Sequence, residues 1–269
     1  MNLLEKNNKK VILFAYYEKN QQYKDNLLFF LKFGYYNDND IDYIIIINGT
    51  HTLSLPKYDN LYVLERENRG FDFGGWAAGL KTLKKKYDYY IFLNASIRGP
   101  FIPTYINIKW YEPFINLIKS DIKLVGSTIA IVEGDYIWNP LPGKFCSVVQ
   151  TYIFAMDFEC LEFLMKCGFF DKEYENILSV GKYQECGMSI LVLQNGWNIS
   201  CLIPEYQNRD YRKITKNFNP YTSFGEIVLL NPDKACFGRT IHPYEVIFIK
   251  TNRGFFDNII ASLTNNRLR

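Results

Sequence analysis

The sequence predicts an α/β fold, a doubly wound and mostly parallel sheet flanked by helices, forming a single domain over residues 1–269. Three observations predict it. Strand-like and helix-like apolar patterns alternate over the first part of the chain. The run Ile44-Ile45-Ile46-Ile47 is apolar on both alternating sets, as a parallel strand covered on both faces requires. A chain of 269 residues that is 48% apolar and 17% aromatic has enough material for one large core, so no second domain is needed to account for it.

Taken in order, Lys10 to Tyr17 is the first expected strand. Tyr23, Leu27, Phe30 and Leu31 then recur at helical spacing until Gly34, where a glycine C-cap ends the helix. Ile41 to Ile47 is the second strand, closed by Asn48-Gly49, and Leu61 to Leu64 is the third. The loop from Glu67 to Gly75 leads into a helix with Trp76, Leu80 and Leu83 on one face, and Tyr89 to Leu93 is the fourth strand. Four βα-like units in succession imply ligand binding in the crevice beyond the C-terminal strand ends. The second half is expected to hold a helix carrying Trp110, Phe114, Leu117 and Ile118, then strands near Lys123 to Ile129 and Val148 to Met156. Helices follow at Asp157 to Lys166 and Gln184 to Gln194, with a strand at Trp197 to Ile203. A strand at Val246 to Ile249 and a helix at Phe255 to Leu263 complete the pattern.

Composition excludes several classes of function. A formal net charge of +3 with scattered basic residues argues against a nucleic-acid partner. The cluster Lys84-Lys85-Lys86 is expected as a solvated helix end rather than a nucleic-acid patch, and such an end is also compatible with peripheral contact to anionic lipid. No apolar run approaches the roughly 18 residues of a membrane span, and the first apolar stretch does not suit a secretory signal, so a cytoplasmic location is expected. The six cysteines lack CxxC spacing and are expected as buried thiols, neither zinc ligands nor disulfides.

Three segments offer chemistry. Asn68-Arg69-Gly70-Phe71-Asp72-Phe73-Gly74-Gly75 follows a strand and opens a helix, supplying glycines, a cation and a carboxylate at the ligand-binding edge; it lacks GxGxxG spacing. The alternative is a tight turn with Asp72 capping the helix. Asn94-Ala95-Ser96 follows the fourth strand, where an amide and a hydroxyl are poor ligands for a hard cation, and Arg98 offers positive charge instead. Glu185 stands at the start of an amphipathic helix, a position that helix-dipole and capping effects alone also favour.

Glu67-Asn-Arg-Gly-Phe-Asp-Phe-Gly-Gly-Trp76, Asn94-Ala-Ser-Ile-Arg-Gly-Pro-Phe101, Val149-Gln-Thr-Tyr-Ile-Phe154 and Glu185-Cys-Gly-Met-Ser189, in this order, resemble the rhamnan synthesis F family of polysaccharide glycosyltransferases. More distantly, the layout is similar to the inverting GT-A glycosyltransferases. The resemblance implies a GT-A-like domain whose residues from about 10 to 130 bind a nucleotide-sugar donor and whose residues from about 131 to 269 bind the glycan acceptor and close the site. It implies Glu185 as the catalytic base and a donor bound across Ala15, Tyr17, Asn48, Asn68, Arg69, Asp72, Asn94, Ser96 and Arg98. His242, Lys250 and Arg253 would close over the diphosphate. Gln184 replaces the first acid of the acid pair, and Ala95 stands where the family usually has Asp, so Mn²⁺ or Mg²⁺ is not favoured as a cofactor. The expected activity is transfer of a hexosyl or deoxyhexosyl unit, rhamnosyl being one case. The competing readings are a non-catalytic glycan-binding relative and a sugar nucleotidyltransferase; the latter would be expected to carry a Gly-rich basic loop where this chain has Tyr16-Tyr17-Glu18-Lys19-Asn20.

Overall fold

The computed structural model describes residues 9–219, 235–254 and 257–268. Strand β1 (Lys10–Tyr16) leads into α1 (Gln21–Phe33), whose first turn is capped by the Asn20 side chain accepting from the Tyr23 amide. Strands β2 (Ile41–Asn48) and β3 (Leu61–Arg66) follow, then α2 (Phe71–Thr82), β4 (Tyr89–Asn94) and the short β5 (Ile97–Arg98). Next come α3 (Glu112–Leu117), β6 (Ile122–Gly126), β7 (Ile129–Val132), β8 (Cys146–Val149) and β9 (Ile153–Asp157). The later elements are α4 (Phe158–Lys166), α5 (Ile177–Ser179), α6 (Cys186–Gln194), β10 (Asn198–Cys201), α7 (Pro243–Val246), β11 (Ile249–Lys250) and α8 (Asp257–Leu268).

Seven strands form one sheet in the order β10-β6-β9-β4-β1-β2-β3, and β9 alone among them runs antiparallel to its neighbours. The predicted fold class is therefore the one observed. Both faces of the sheet are covered, as the Ile44–Ile47 run demands. Val11, Leu13, Ala15, Ile44 and Ile46 face one core with Trp76 and Phe92, while Ile12, Phe14, Tyr16, Ile45 and Ile47 face the other with Phe30 and Trp110. Strand β1 pairs with β2 on one side and β4 on the other, so the connections diverge there and leave a crevice beyond Tyr16 and Asn94.

Several expected elements differ. No helix lies between β2 and β3, so the expected run of four βα units is interrupted at residues 49–60. The expected strand at Lys123 to Ile129 breaks at Ser127-Thr128 into β6 and β7, and the one at Val148 to Met156 breaks at Gln150-Thr151-Tyr152 into β8 and β9. Strands β7 and β8 leave the main sheet as an antiparallel pair. The strand expected at Val246 to Ile249 is reduced to Ile249–Lys250, because His242 and Glu245 form a capping box and Pro243 opens the turn, committing Pro243–Val246 to a helix. Helix α8 starts at Asp257 and runs beyond the expected Leu263; Phe255, from which that helix was expected to start, lies outside the described residues.

The largest departure concerns Glu185. The helix expected from Gln184 begins at Ile177, capped by the Asn176 side chain, and passes through a π-helical stretch at Val180–Glu185 before α6. Glu185 is thus inside a continuous helical segment and makes no capping hydrogen bond. Helix α6 is also not amphipathic, since Cys186, Met188, Ser189, Ile190 and Val192 are all buried around its circumference. Among the described residues, no helix is long and apolar enough to cross a membrane.

Candidate active site

A cavity of about 740 Å³ opens at the crevice beyond β1 and β4, a size suited to a small-molecule ligand. One wall is built from strand ends and the loops after them. Asn48, at the end of β2, is held by Arg66, whose guanidinium donates to Asn48 Oδ1 at 2.8 Å. Gly75 of α2 faces this amide so closely that a Cβ there would stand 2.9 Å from Asn48 Nδ2. Gly74 likewise packs against the Arg69 carbonyl, and Gly70 adopts φ 68° just before the helix. The glycines of this loop therefore serve internal close packing, where the sequence suggested backbone approach to a nucleotide.

Asp72 does not cap its helix, which has no side-chain cap at Gly70. Its carboxylate turns into the cavity and accepts from Asn94 Nδ2 at 2.8 Å. Asn94 Oδ1 in turn accepts from the Ser96 hydroxyl at 2.6 Å and the Ser96 amide at 3.1 Å. Burial pushes Asp72 up to about 6, against the Asn94 hydrogen bond and the charge of Lys250, with Glu185 adding to the rise. These residues do not fit a divalent cation: the Asn94 oxygen is already committed to two donors, Ala95 offers no ligand atom, and Lys250 supplies competing positive charge.

Glu185, delivered by the π-helical turn, lines the same cavity. Burial raises its carboxyl above the usual range, opposed by Lys250, the Thr151 hydroxyl and Arg253. Lys250 reaches the cavity because β11 pairs antiparallel with β5, setting Lys250 opposite Ile97. Thr251 locks that pairing by donating from its amide to the Ser96 carbonyl at 2.9 Å and by accepting from Asn26 Nδ2 at 2.8 Å. Burial lowers the Lys250 pKa, an effect that Arg253 reinforces and that Glu185 and Asp72 oppose. Among the described residues, Asp72, Glu185, Lys250 and Arg253 form no ion pair, so two acids and two cations share the cavity without direct neutralisation.

Nine of the thirteen residues singled out from sequence line this cavity: Tyr17, Asn48, Asn68, Asp72, Asn94, Ser96, Glu185, Lys250 and Arg253. Four do not. Ala15 is fully buried in β1, paired with Asn94 beneath the site. Arg69 projects into solvent beside Glu173, at 3.4 Å. Arg98, expected to offer positive charge to the site, points the other way: its Nε donates to Asn26 Oδ1 at 2.7 Å, its Nη1 donates to Thr264 of α8, and its guanidinium lies over Phe29. His242 is the N-cap of α7, where its ring accepts from the Tyr244 amide. Gln184, in the place of the first acid, is buried and donates to the Lys172 carbonyl.

Sequence reasoning missed Tyr23, Tyr136, Trp138, Gln150 and Thr151, which also line the cavity. Gln150 and Thr151 lie within a segment already noted for its pattern, so the signal was present without a role. Tyr136 and Trp138 sit in an irregular connection between β7 and β8, where no periodicity announces them.

No protein-family model matches the chain, and no curated protein does. Among solved structures, it is similar to the mannosyltransferase PcManGT from Pyrobaculum calidifontis in complex with GDP-Man and Mn²⁺, with a TM-score of 0.46 and 10% identity over 76% of this chain. The chain spans 59% of that protein's length. It is also similar to LgtC, solved as an active-site mutant, with a TM-score of 0.44 and 11% identity over 95% of each chain.

Proposed function

We propose that this protein is a glycosyltransferase that moves a sugar from a nucleoside-diphosphate sugar to a hydroxyl of a glycan, with inversion at the anomeric carbon. The observation that carries the reading is the pairing of Lys250 and Arg253, two cations without an ion-pair partner among the described residues, with the Glu185 carboxylate across the same switch-point cavity. Lys250 is half-buried and Arg253 stands exposed at the cavity; cations left unpaired there are stabilised by an anionic ligand, for which a diphosphate supplies the charge and the size. The four segments that resemble rhamnan synthesis F proteins support the same class, and a surface-polysaccharide acceptor with it.

In this reading the donor lies along Tyr17, Asn48, Asn68 and the Asp72–Asn94 pair, with its diphosphate toward Lys250 and Arg253. The acceptor oxygen attacks the anomeric carbon from the Glu185 side. The new carbon–oxygen bond forms as the bond to the diphosphate breaks; the diphosphate leaves with the electron pair, and the acceptor proton passes to Glu185. Burial raises the Glu185 pKa, which makes its carboxylate a stronger base than an exposed one. No step requires a metal ion or a second carboxylate acting as nucleophile.

The test is Glu185→Gln, measured with a donor identified by calorimetry across a panel of nucleotide sugars. Turnover should fall by about 10²- to 10⁴-fold while donor affinity changes little. NMR of the first-formed product should show the opposite anomer to the donor. A wild type that binds no donor in the panel, or a Gln variant with near-normal turnover, would remove the basis for this assignment.

A further inference from the structure

Part of the cavity lining is not used by the donor path given above: Ala130, Val132 and Val148 of the β7–β8 pair, with Tyr136 and Trp138 of the connection between them. Ala130, Val132, Val148 and Trp138 pack in one apolar cluster with Cys186, the residue after Glu185. The β7–β8 connection is irregular yet firmly held. Asn139, 4% exposed, donates from its side-chain amide to the carbonyls of Val132, Glu133 and Lys144 and accepts from the Leu141 amide. One buried amide thus fixes both ends of the loop and the position of Trp138 immediately before it.

Trp138 rests on Gly181, in the π-helical turn that delivers Glu185. A Cβ at Gly181 would stand 2.8 Å from Trp138 Cε3 and 2.9 Å from Cδ2, so the six-membered ring of the indole occupies the space a side chain would take. The Cys186 amide donates to the Gly181 carbonyl across the same turn, which ties the surface under the indole to the backbone beside Glu185. Gln150 also lines the cavity, and among the described residues no side-chain hydrogen bond holds its amide. That amide is open to the cavity, where a ligand hydroxyl can pair with it.

We propose that Trp138 and Gln150 form the acceptor subsite and that the acceptor is a neutral saccharide ring, its apolar face on the indole and a hydroxyl on the Gln150 amide, with the reacting hydroxyl toward Glu185. This rests on the transferase reading given above and names its acceptor class. An indole and an uncommitted amide lining one cavity match a ring that presents C–H groups on one face and hydroxyls at its edge. Ala130, Val132, Tyr136, Trp138, Val148 and Gln150 carry no charge, so a phosphate-bearing acceptor finds no cation among them.

The experiment measures binding of methyl hexosides and methyl deoxyhexosides by saturation-transfer NMR and binding of the donor panel by calorimetry, for the wild type, Trp138→Ala, Trp138→Phe and Gln150→Ala. We expect Trp138→Ala and Gln150→Ala each to weaken the best methyl glycoside by about tenfold or more, Trp138→Phe to recover part of the loss, and donor affinity to stay within about twofold. Unchanged glycoside binding in Trp138→Ala overturns the proposal and leaves the transferase reading standing. Loss of donor affinity with glycoside binding intact also overturns it, since Trp138 would then be a platform for the nucleotide base. A wild type that binds glycosides through Trp138 and no donor refutes the transferase reading and leaves a saccharide site.

Discussion

Asp72→Asn measures how much stability the cavity gives up to hold a carboxylate in place. The folded protein holds this carboxyl at about 6 against its ordinary 3.8, chiefly by desolvation. Between those values the folded state binds more protons than the unfolded chain, so the protonated acid favours folding at low pH and that contribution is lost as pH rises through about 6. Two units correspond to about 3 kcal/mol, and a cavity open to water screens part of it, leaving about 1–3 kcal/mol. Asparagine keeps the shape and an oxygen that accepts from Asn94 Nδ2 but carries no charge. Urea unfolding at about pH 7.5 should therefore find the variant more stable than wild type by about 1–3 kcal/mol, with little difference at about pH 4. A variant less stable at both pH values would refute the reasoning, because the carboxylate's hydrogen bond would then outweigh its desolvation.

Replacing Lys250 with Met removes a charge that holds the Glu185 pKa down; the acid limb of the kcat–pH profile should move to higher pH, and an unmoved limb would separate the two residues. Gly75→Ala drives a Cβ to within 2.9 Å of Asn48 Nδ2; the overpacking cost of about 1–3 kcal/mol should exceed the gain of about 1 kcal/mol in helix propensity, lowering the Tm and weakening donor binding together. Because Asn94 Oδ1 is committed to Ser96, donor binding and turnover should survive EDTA; activity lost in EDTA and restored by Mn²⁺ would show that Asp72 finds another ligand partner.

The sheet was legible because its physics is local. The four-isoleucine run, the turn at Asn48-Gly49 and the Asn94 strand end each announce their place within a few residues, and the switch point follows from them. What the sequence concealed is set by contacts made far along the chain. Arg98 follows a strand end, as a phosphate-binding cation would, yet Asn26, Phe29 and Thr264 from two helices pull its guanidinium out of the cavity. The helix that delivers Glu185 begins at Ile177, earlier than its apolar pattern, because Ser179-Val-Gly-Lys is weak helix-forming sequence that packing against Trp138 retains. Trp138 itself gave no pattern to find: its position depends on one asparagine in an irregular loop.

The pairing of β11 with β5 has a consequence for how the protein comes to be active during synthesis. Thr251 bonds to Ser96 across 155 residues and to Asn26 across 225. The strands β1 to β4 that shape the floor of the cavity are made before the segment that carries Thr251 and pair with one another over shorter sequence separations. Lys250 and Arg253 arrive on a segment made much later, and only when it docks does the cavity acquire its two cations. A nascent chain therefore presents Asp72 without the lysine that opposes its rise, and its affinity for an anionic ligand switches on at the closing step. Ligand present in the cell would then favour the docked state by mass action, drawing late assembly toward completion.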